Sequence, residues 1–169
     1  MNQIYSRAAM LLFALATLGA VPAAEARIEL VNVVYKVERF VDADGQVQRR
    51  MLPPNQVVPG DELHYAVEFR NVGTEAVDAK SVVITNPIPA NTEYLDGTAG
   101  GKGSDIFFSI DSGARFGVPA GLVRTVAGND GRDSVEPANA RDYTTIRWVY
   151  QPALEPGETG TVSFNVRLK

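Results

Sequence analysis

The stretch that most limits what this chain can become is 62–70. There Leu63, Tyr65, Val67 and Phe69 alternate with Glu62, His64, Glu68 and Arg70. Strict alternation sends every second side chain to one face, which marks a strand with one buried and one solvated side. Turn residues close it at both ends, with Pro59-Gly60-Asp61 before it and Asn71-Val72-Gly73-Thr74 after it. Beyond the first 26 residues no segment shows the sustained i, i+3, i+4 spacing of an amphipathic helix.

The rest of the chain follows the same pattern. Residues 28–41 are rich in β-branched and aromatic side chains, with Val31, Val33, Tyr35 and Val37 on one parity and Asn32, Lys36 and Glu38 on the other. That predicts a half-buried strand. Asp42-Ala43-Asp44-Gly45 carries an Asp-Gly hairpin signal, and 46–52 is the returning strand, broken by Pro53-Pro54-Asn55. Residues 80–85 predict a strand with Val82 and Ile84 on one face, stopped by Pro87 and Pro89 because proline cannot donate to a ladder. A short extended piece covers 93–95.

From 97 to 139 the pattern loosens. Gly97, Gly100, Gly101 and Gly103 lie close together, strands are expected at 106–110 and 122–126, and 128–133 is a turn cluster. This region is expected to be loop-rich and partly mobile, with one short hairpin. Residues 143–151 form a strand with Ile146, Trp148 and Tyr150 on one parity, and Trp148, the single tryptophan, is placed in the core. Residues 160–168 close the chain, with Val162, Phe164, Val166 and Leu168 alternating against Thr161, Ser163, Asn165 and Arg167. Pro59-Gly60-Asp61 and Pro156-Gly157-Glu158 each precede an alternating strand, one turn chemistry used twice. Short strands divided by Gly and Pro turns predict an all-β antiparallel sandwich.

The first 26 residues read as a leader. Arg7 is followed by an apolar run over 8–21, shorter than the roughly 20 residues a membrane span needs. Ala24-Glu25-Ala26 fits a small-x-small cleavage site, and Val21-Pro22-Ala23 is the alternative. Cleavage after Ala26 leaves one domain, 27–169, in which 27–56 is an extra N-terminal strand region and 57–169 the core. A domain of that size buries about 68–70% of its unfolded surface and needs no staple. The chain has no cysteine, which removes a lipoprotein anchor, thiol chemistry and disulfides. With a net charge of −4 and only Arg49-Arg50 adjacent among the basic residues, there is no basic stripe for nucleic acid or anionic membrane. Export to the periplasm, outer membrane or cell exterior of a bacterium is expected, with no membrane span in the mature chain.

Catalytic signals are sparse. His64 is the only histidine, on the polar parity of its strand, and reads as a solvent-facing residue; one histidine makes no His-rich metal site. Asp42, Asp44, Asp130 and Asp133 lie in turns. Asp42-Ala43-Asp44-Gly45 resembles the opening of a calcium loop, but the twelfth position is Pro53 instead of Glu. Turn chemistry is the reading, with loop-mediated ligand or calcium binding in 97–139 as the alternative. Gly100-Gly101-Lys102-Gly103 lacks the spacing and hydroxyl of a phosphate loop. Ser104, Ser109 and Ser112 sit outside any G-x-S-x-G elbow. No acidic residue occupies a motif that suggests glycoside hydrolysis. No catalytic, cofactor or metal residue is assigned, and a non-enzymatic role is expected.

Residues 58–65 (Val58-Pro59-Gly60-Asp61-Glu62-Leu63-His64-Tyr65), Asn71-Val72-Gly73, Ala79, Val82, Thr85-Asn86-Pro87-Ile88-Pro89 and Thr92-Glu93-Tyr94 together resemble the conserved-repeat domain called domain of unknown function 11. Leu154-Glu155-Pro156-Gly157-Glu158 resembles that family's closing turn. The match covers roughly 57–169. It implies an immunoglobulin-like sandwich on exported or surface proteins, often in tandem arrays and without known catalysis. This chain departs from the pattern in three ways: Asn86 stands where aspartate is common, there is one copy, and a strand region, 28–52, precedes the match. The expectation is a structural or interaction domain of the cell envelope. Its partners would be other envelope or surface proteins or a second copy, paired through a sheet edge at 28–41 or 160–168.

Overall fold

A computed structural model describes residues 25–128 and 132–169. The expected leader therefore lies outside the described residues apart from Glu25 and Ala26. The chain is all-β and antiparallel. A first hairpin joins β1 (Ile28–Val41) to β2 (Val47–Leu52). Then come β3 (Glu62–Asn71), β4 (Val83–Pro87), β5 (Thr92–Tyr94), β6 (Gly100–Gly101), β7 (Ser104–Ser109), β8 (Val123–Ala127), β9 (Asp133–Pro137), β10 (Thr145–Tyr150) and β11 (Thr159–Leu168). One sheet runs β2-β1-β3-β11-β5, with β6 also on β11. A smaller sheet runs β4-β10-β7, and β8-β9 stand as a separate hairpin.

The alternation in β3 and β11 does what the sequence predicts. In register, Leu63 opposes Val166, Tyr65 opposes Phe164 and Val67 opposes Val162, so both strands turn one apolar face inward. Ile84, Ile146, Trp148 and Tyr150 of the smaller sheet face them, and all join one buried cluster. Ring contacts bridge the sheets: Trp148 lies 6.0 Å from Phe164 and Phe69 lies 5.1 Å from Tyr150. Burying each such side chain contributes about 1.5–3 kcal/mol. Gly160 is required by this packing, because a Cβ there would overlap the Phe69 ring.

Three local expectations change. The strand expected at 80–85 is β4, which runs on to Pro87. Proline is tolerated there because β4 is an edge strand. The region 97–139 is less loop-rich than its glycines suggest, since it supplies β6 to β9, and β7 completes the smaller sheet with Ile106 opposite Trp148. The terminal strand β11 offers little edge between Val162 and Leu168. It is held by β3 on one side and by β5 and β6 on the other.

The largest correction concerns β1. Its register places Ile28, Leu30, Asn32, Val34 and Lys36 opposite Asn71, Phe69, Val67, Tyr65 and Leu63. Directly opposed residues share a face. The expected buried parity, Val31-Val33-Tyr35-Val37, lies on the outer face with Glu62, where Val37 is nonetheless buried, Val33 and Tyr35 are half-buried and Val31 is exposed. Nor is the other parity well covered, because the larger sheet overhangs the smaller one. Leu30 is 53% exposed and Val31 49% exposed. Over 29–32 both faces of β1 are open to solvent, while Ile28, Val33 and Val34 are half-buried.

Candidate functional site

The clearest unfinished feature of the fold is the outer edge of β1. In an antiparallel strand, successive residues direct their N–H and C=O groups to opposite sides. Val72 N–H donates to Arg27 O at 2.8 Å and Thr74 N–H to Glu25 O at 2.9 Å, so odd-numbered residues bond toward β3. At the other end Asp42 N–H donates to Gln46 O at 2.9 Å, so even-numbered residues bond toward β2. The β2 ladder ends at the pair Lys36–Leu52. The outward groups of Ile28, Leu30, Asn32 and Val34 therefore face no strand among the described residues. Natural edges are usually blunted by Lys, Pro or a bulge. Residues 28–35 hold neither Lys nor Pro, and the register with β3 runs without interruption.

The other half of β1 is fastened down by charge. Glu62, at the start of β3, is only 7% exposed and points to the outer face. It accepts from Arg39 Nη2 of β1 at 3.0 Å, from Arg49 Nη2 of β2, and from Asn165 Nδ2 of β11 at 2.6 Å. Burial alone would raise its pKa, but the Asn165 amide and the two guanidinium groups outweigh burial and hold it below the ordinary glutamate value. Beside it, Lys36 Nζ donates to Asp61 Oδ2 at 2.7 Å. That bond, with the Val58 N–H, lowers the Asp61 pKa. One buried carboxylate thus ties β1, β2 and β11 to β3, and the hairpin stops covering β1 where β2 ends at Leu52, before Pro53-Pro54. Glu62 and Asn165 were only polar-parity residues in the sequence, because their convergence depends on the register of β3 with β11.

His64 lies beside this node. It is half-buried and its Nδ1 is 2.7 Å from Asn165 Oδ1, so it belongs to the outer-face network and does not simply face solvent. Asp42 closes the first hairpin. Its Oδ1 accepts from the N–H groups of Asp44 and Gln46 at 3.1 and 2.8 Å, and its Oδ2 accepts from Gln48 Nε2 at 2.8 Å. The Gln48 and Gln46 bonds lower its pKa. Asp133 begins β9, and Asp130 lies outside the described residues. Among the described residues, no group of three or more His, Asp or Glu is placed to hold a metal.

The remaining candidates are structural. Gly101 pairs with Val162 and lies against Trp148 where a side chain would crowd both, and Gly103 takes a φ of 75° in the turn to β7. Ser109 is fully buried. Its hydroxyl donates to Asp111 Oδ1 at 2.7 Å and accepts from the N–H groups of Asp111 and Gly113. The backbone N–H of Arg115, the Ser109 hydroxyl and the Arg115 guanidinium hold the Asp111 carboxyl far below the usual range. The Ser112 N–H donates to Thr144 Oγ1 at 2.9 Å, and Ser104 heads β7. No described helix is long and apolar enough to cross a membrane. Comparison with protein-family models, curated proteins and solved structures gave no match.

Proposed function

We propose that this chain is an exported, non-enzymatic interaction domain of the bacterial cell envelope or surface. Its scaffold is an immunoglobulin-like sandwich related to domain of unknown function 11, and it binds other chains by strand addition along β1. The observation that carries this reading is the open, apolar, uninterrupted edge over 28–35. Backbone groups there are directed outward and face no strand among the described residues. Strand addition uses such an edge, with main-chain bonds supplying affinity and flanking side chains supplying selectivity. The scaffold assignment is supported by the Pro-Gly-acid turns before β3 and β11 and by the Asn71-x-Gly73 turn after β3, each at the place the resemblance implies.

Export requires removal of the leader, and the bonds of Glu25 to Thr74 favour Ala23 over Ala26 as the cleavage point. Glu25 O accepts from Thr74 N–H, and Glu25 N–H donates to Thr74 Oγ1 at 3.2 Å. A Cβ at Gly73 would collide with Glu25 O. A chain beginning at Arg27 loses both bonds, although Arg27 N alone would still crowd a Cβ at Gly73. Val21-Pro22-Ala23 then serves as the recognition site. Mass spectrometry of the exported protein should find Ala24 as the first residue; a first residue of Arg27 would reverse this assignment.

The strand-addition reading is tested in the native host. A photo-reactive amino acid at Leu30 should cross-link to another chain, and Asn32→Pro should abolish the product. Asn32 directs its N–H outward, so proline removes an edge donor while sparing the β3 ladder. Absence of any cross-linked product would overturn the reading.

A further inference from the structure

We infer that the occupant of the β1 edge is a second copy of this chain, joined antiparallel about a two-fold axis through Leu30. The inference rests on the strand-addition reading and adds the partner and the register. The phase of the backbone bonds limits the choices. Only even-numbered residues direct groups outward, and Leu52 already occupies those of Lys36. The partner's strand includes 25–27, which run extended beside Val72 and Thr74. A register centred on Leu30 pairs Ala26 with Val34 and Ile28 with Asn32, and Leu30 with its own copy. Every outward group from Ala26 to Val34 is then used. Sliding one step, to a centre at Val31, would bring Ala26 against Lys36, where Leu52 sits. Shifting the other way, to a centre at Glu29, leaves Val34 with no partner among the described residues and parts the two Leu30 side chains.

The side chains fit this centre. Leu30, half exposed in a single copy, meets Leu30 of the second on the side of the sheet that carries the core. On the outer face, Glu25 meets Tyr35, Arg27 meets Val33 and Glu29 meets Val31, so no like charges oppose one another. The two larger sheets become one continuous sheet, and the longest open edge of each copy disappears.

The test uses the processed chain, beginning at Ala24. Wild type should sediment at twice the monomer mass, and Leu30→Lys, which sets two ammonium groups on the axis, should sediment as a folded monomer. Asn32→Pro, checked for its circular dichroism spectrum, should behave likewise. The chain has no native cysteine, so single cysteines report the register. Hydrogen-bonded opposed residues have Cα atoms about 5.5 Å apart. A short bis-maleimide should therefore link Leu30→Cys into a covalent dimer. Val34→Cys should not link, because in this register the two copies of residue 34 lie eight positions apart, about 26 Å at about 3.3 Å per residue. A dimer linked through Val34→Cys and not Leu30→Cys overturns the register. A monomeric wild type with no link at Leu30→Cys overturns the second copy as partner. If the in-cell cross-link at Leu30 then yields a different protein, strand addition stands; if it yields nothing, both readings fall.

Discussion

Single residues carry the turns, and here the sequence was informative. Val58-Pro59-Gly60-Asp61 and Glu155-Pro156-Gly157-Glu158 are built alike. In each, the fourth residue's N–H donates to the first residue's carbonyl, at 3.0 Å in both. In each, the fourth residue's carboxylate accepts from the first residue's N–H, at 2.8 and 2.9 Å. Gly60 and Gly157 take φ values of 96° and 81°, which other residues adopt at a cost. Gly157→Ala should lower stability by about 1 kcal/mol in urea unfolding. Asn71 matters more. It is fully buried, donates to Glu75 O and Leu154 O at 2.7 and 2.9 Å, and accepts from Gly73 N–H at 2.9 Å. Asn71→Ala strands these backbone groups, and urea unfolding should show a loss of about 2 kcal/mol or more.

Elements are where the reading from sequence divides into what period-2 patterning shows and what it cannot. The strands β3, β10 and β11 were legible because each has one apolar parity turned into the core between the two sheets. β1 was only partly legible because both its parities mix apolar and polar residues. Which parity faces the core depends on its pairing with β3, and how much is covered depends on the width of the smaller sheet. β6 is two glycines and β9 is wholly exposed, so neither carries a hydrophobic period. Glu62 escaped notice for a related reason: its partners come from β1, β2 and β11. Its effect should appear as pH dependence of the β1–β2 hairpin. Because the folded pKa lies below the ordinary value of 4.5, the stability it supplies is fully present above that value and lost as pH falls through the folded pKa. Glu62→Gln should cost about 2 kcal/mol near neutrality. It should also flatten the fall in Tm between about pH 5 and about pH 3. An unchanged acid slope would detach the hairpin from this carboxylate.

At the scale of the molecule, unequal sheet widths turn a stable scaffold into one with an unfinished side. The smaller sheet covers β3 and β11, and β1 projects past it. The Glu62 node holds β2 against the second half of β1, and β2 ends at Leu52 before Pro53-Pro54, which leaves the first half open. That division leaves an open edge on what the alternation alone presented as another half-buried strand, and the proposed pairing uses that edge. Amide hydrogen exchange followed residue by residue over a dilution series tests this most directly. Glu29, Val31, Val33 and Tyr35, bonded to β3, should be protected at every concentration. Leu30, Asn32 and Val34 should exchange fast in dilute protein and become protected as concentration rises. Even-numbered amides as protected as odd ones at every dilution, or unprotected at every concentration, would contradict the account.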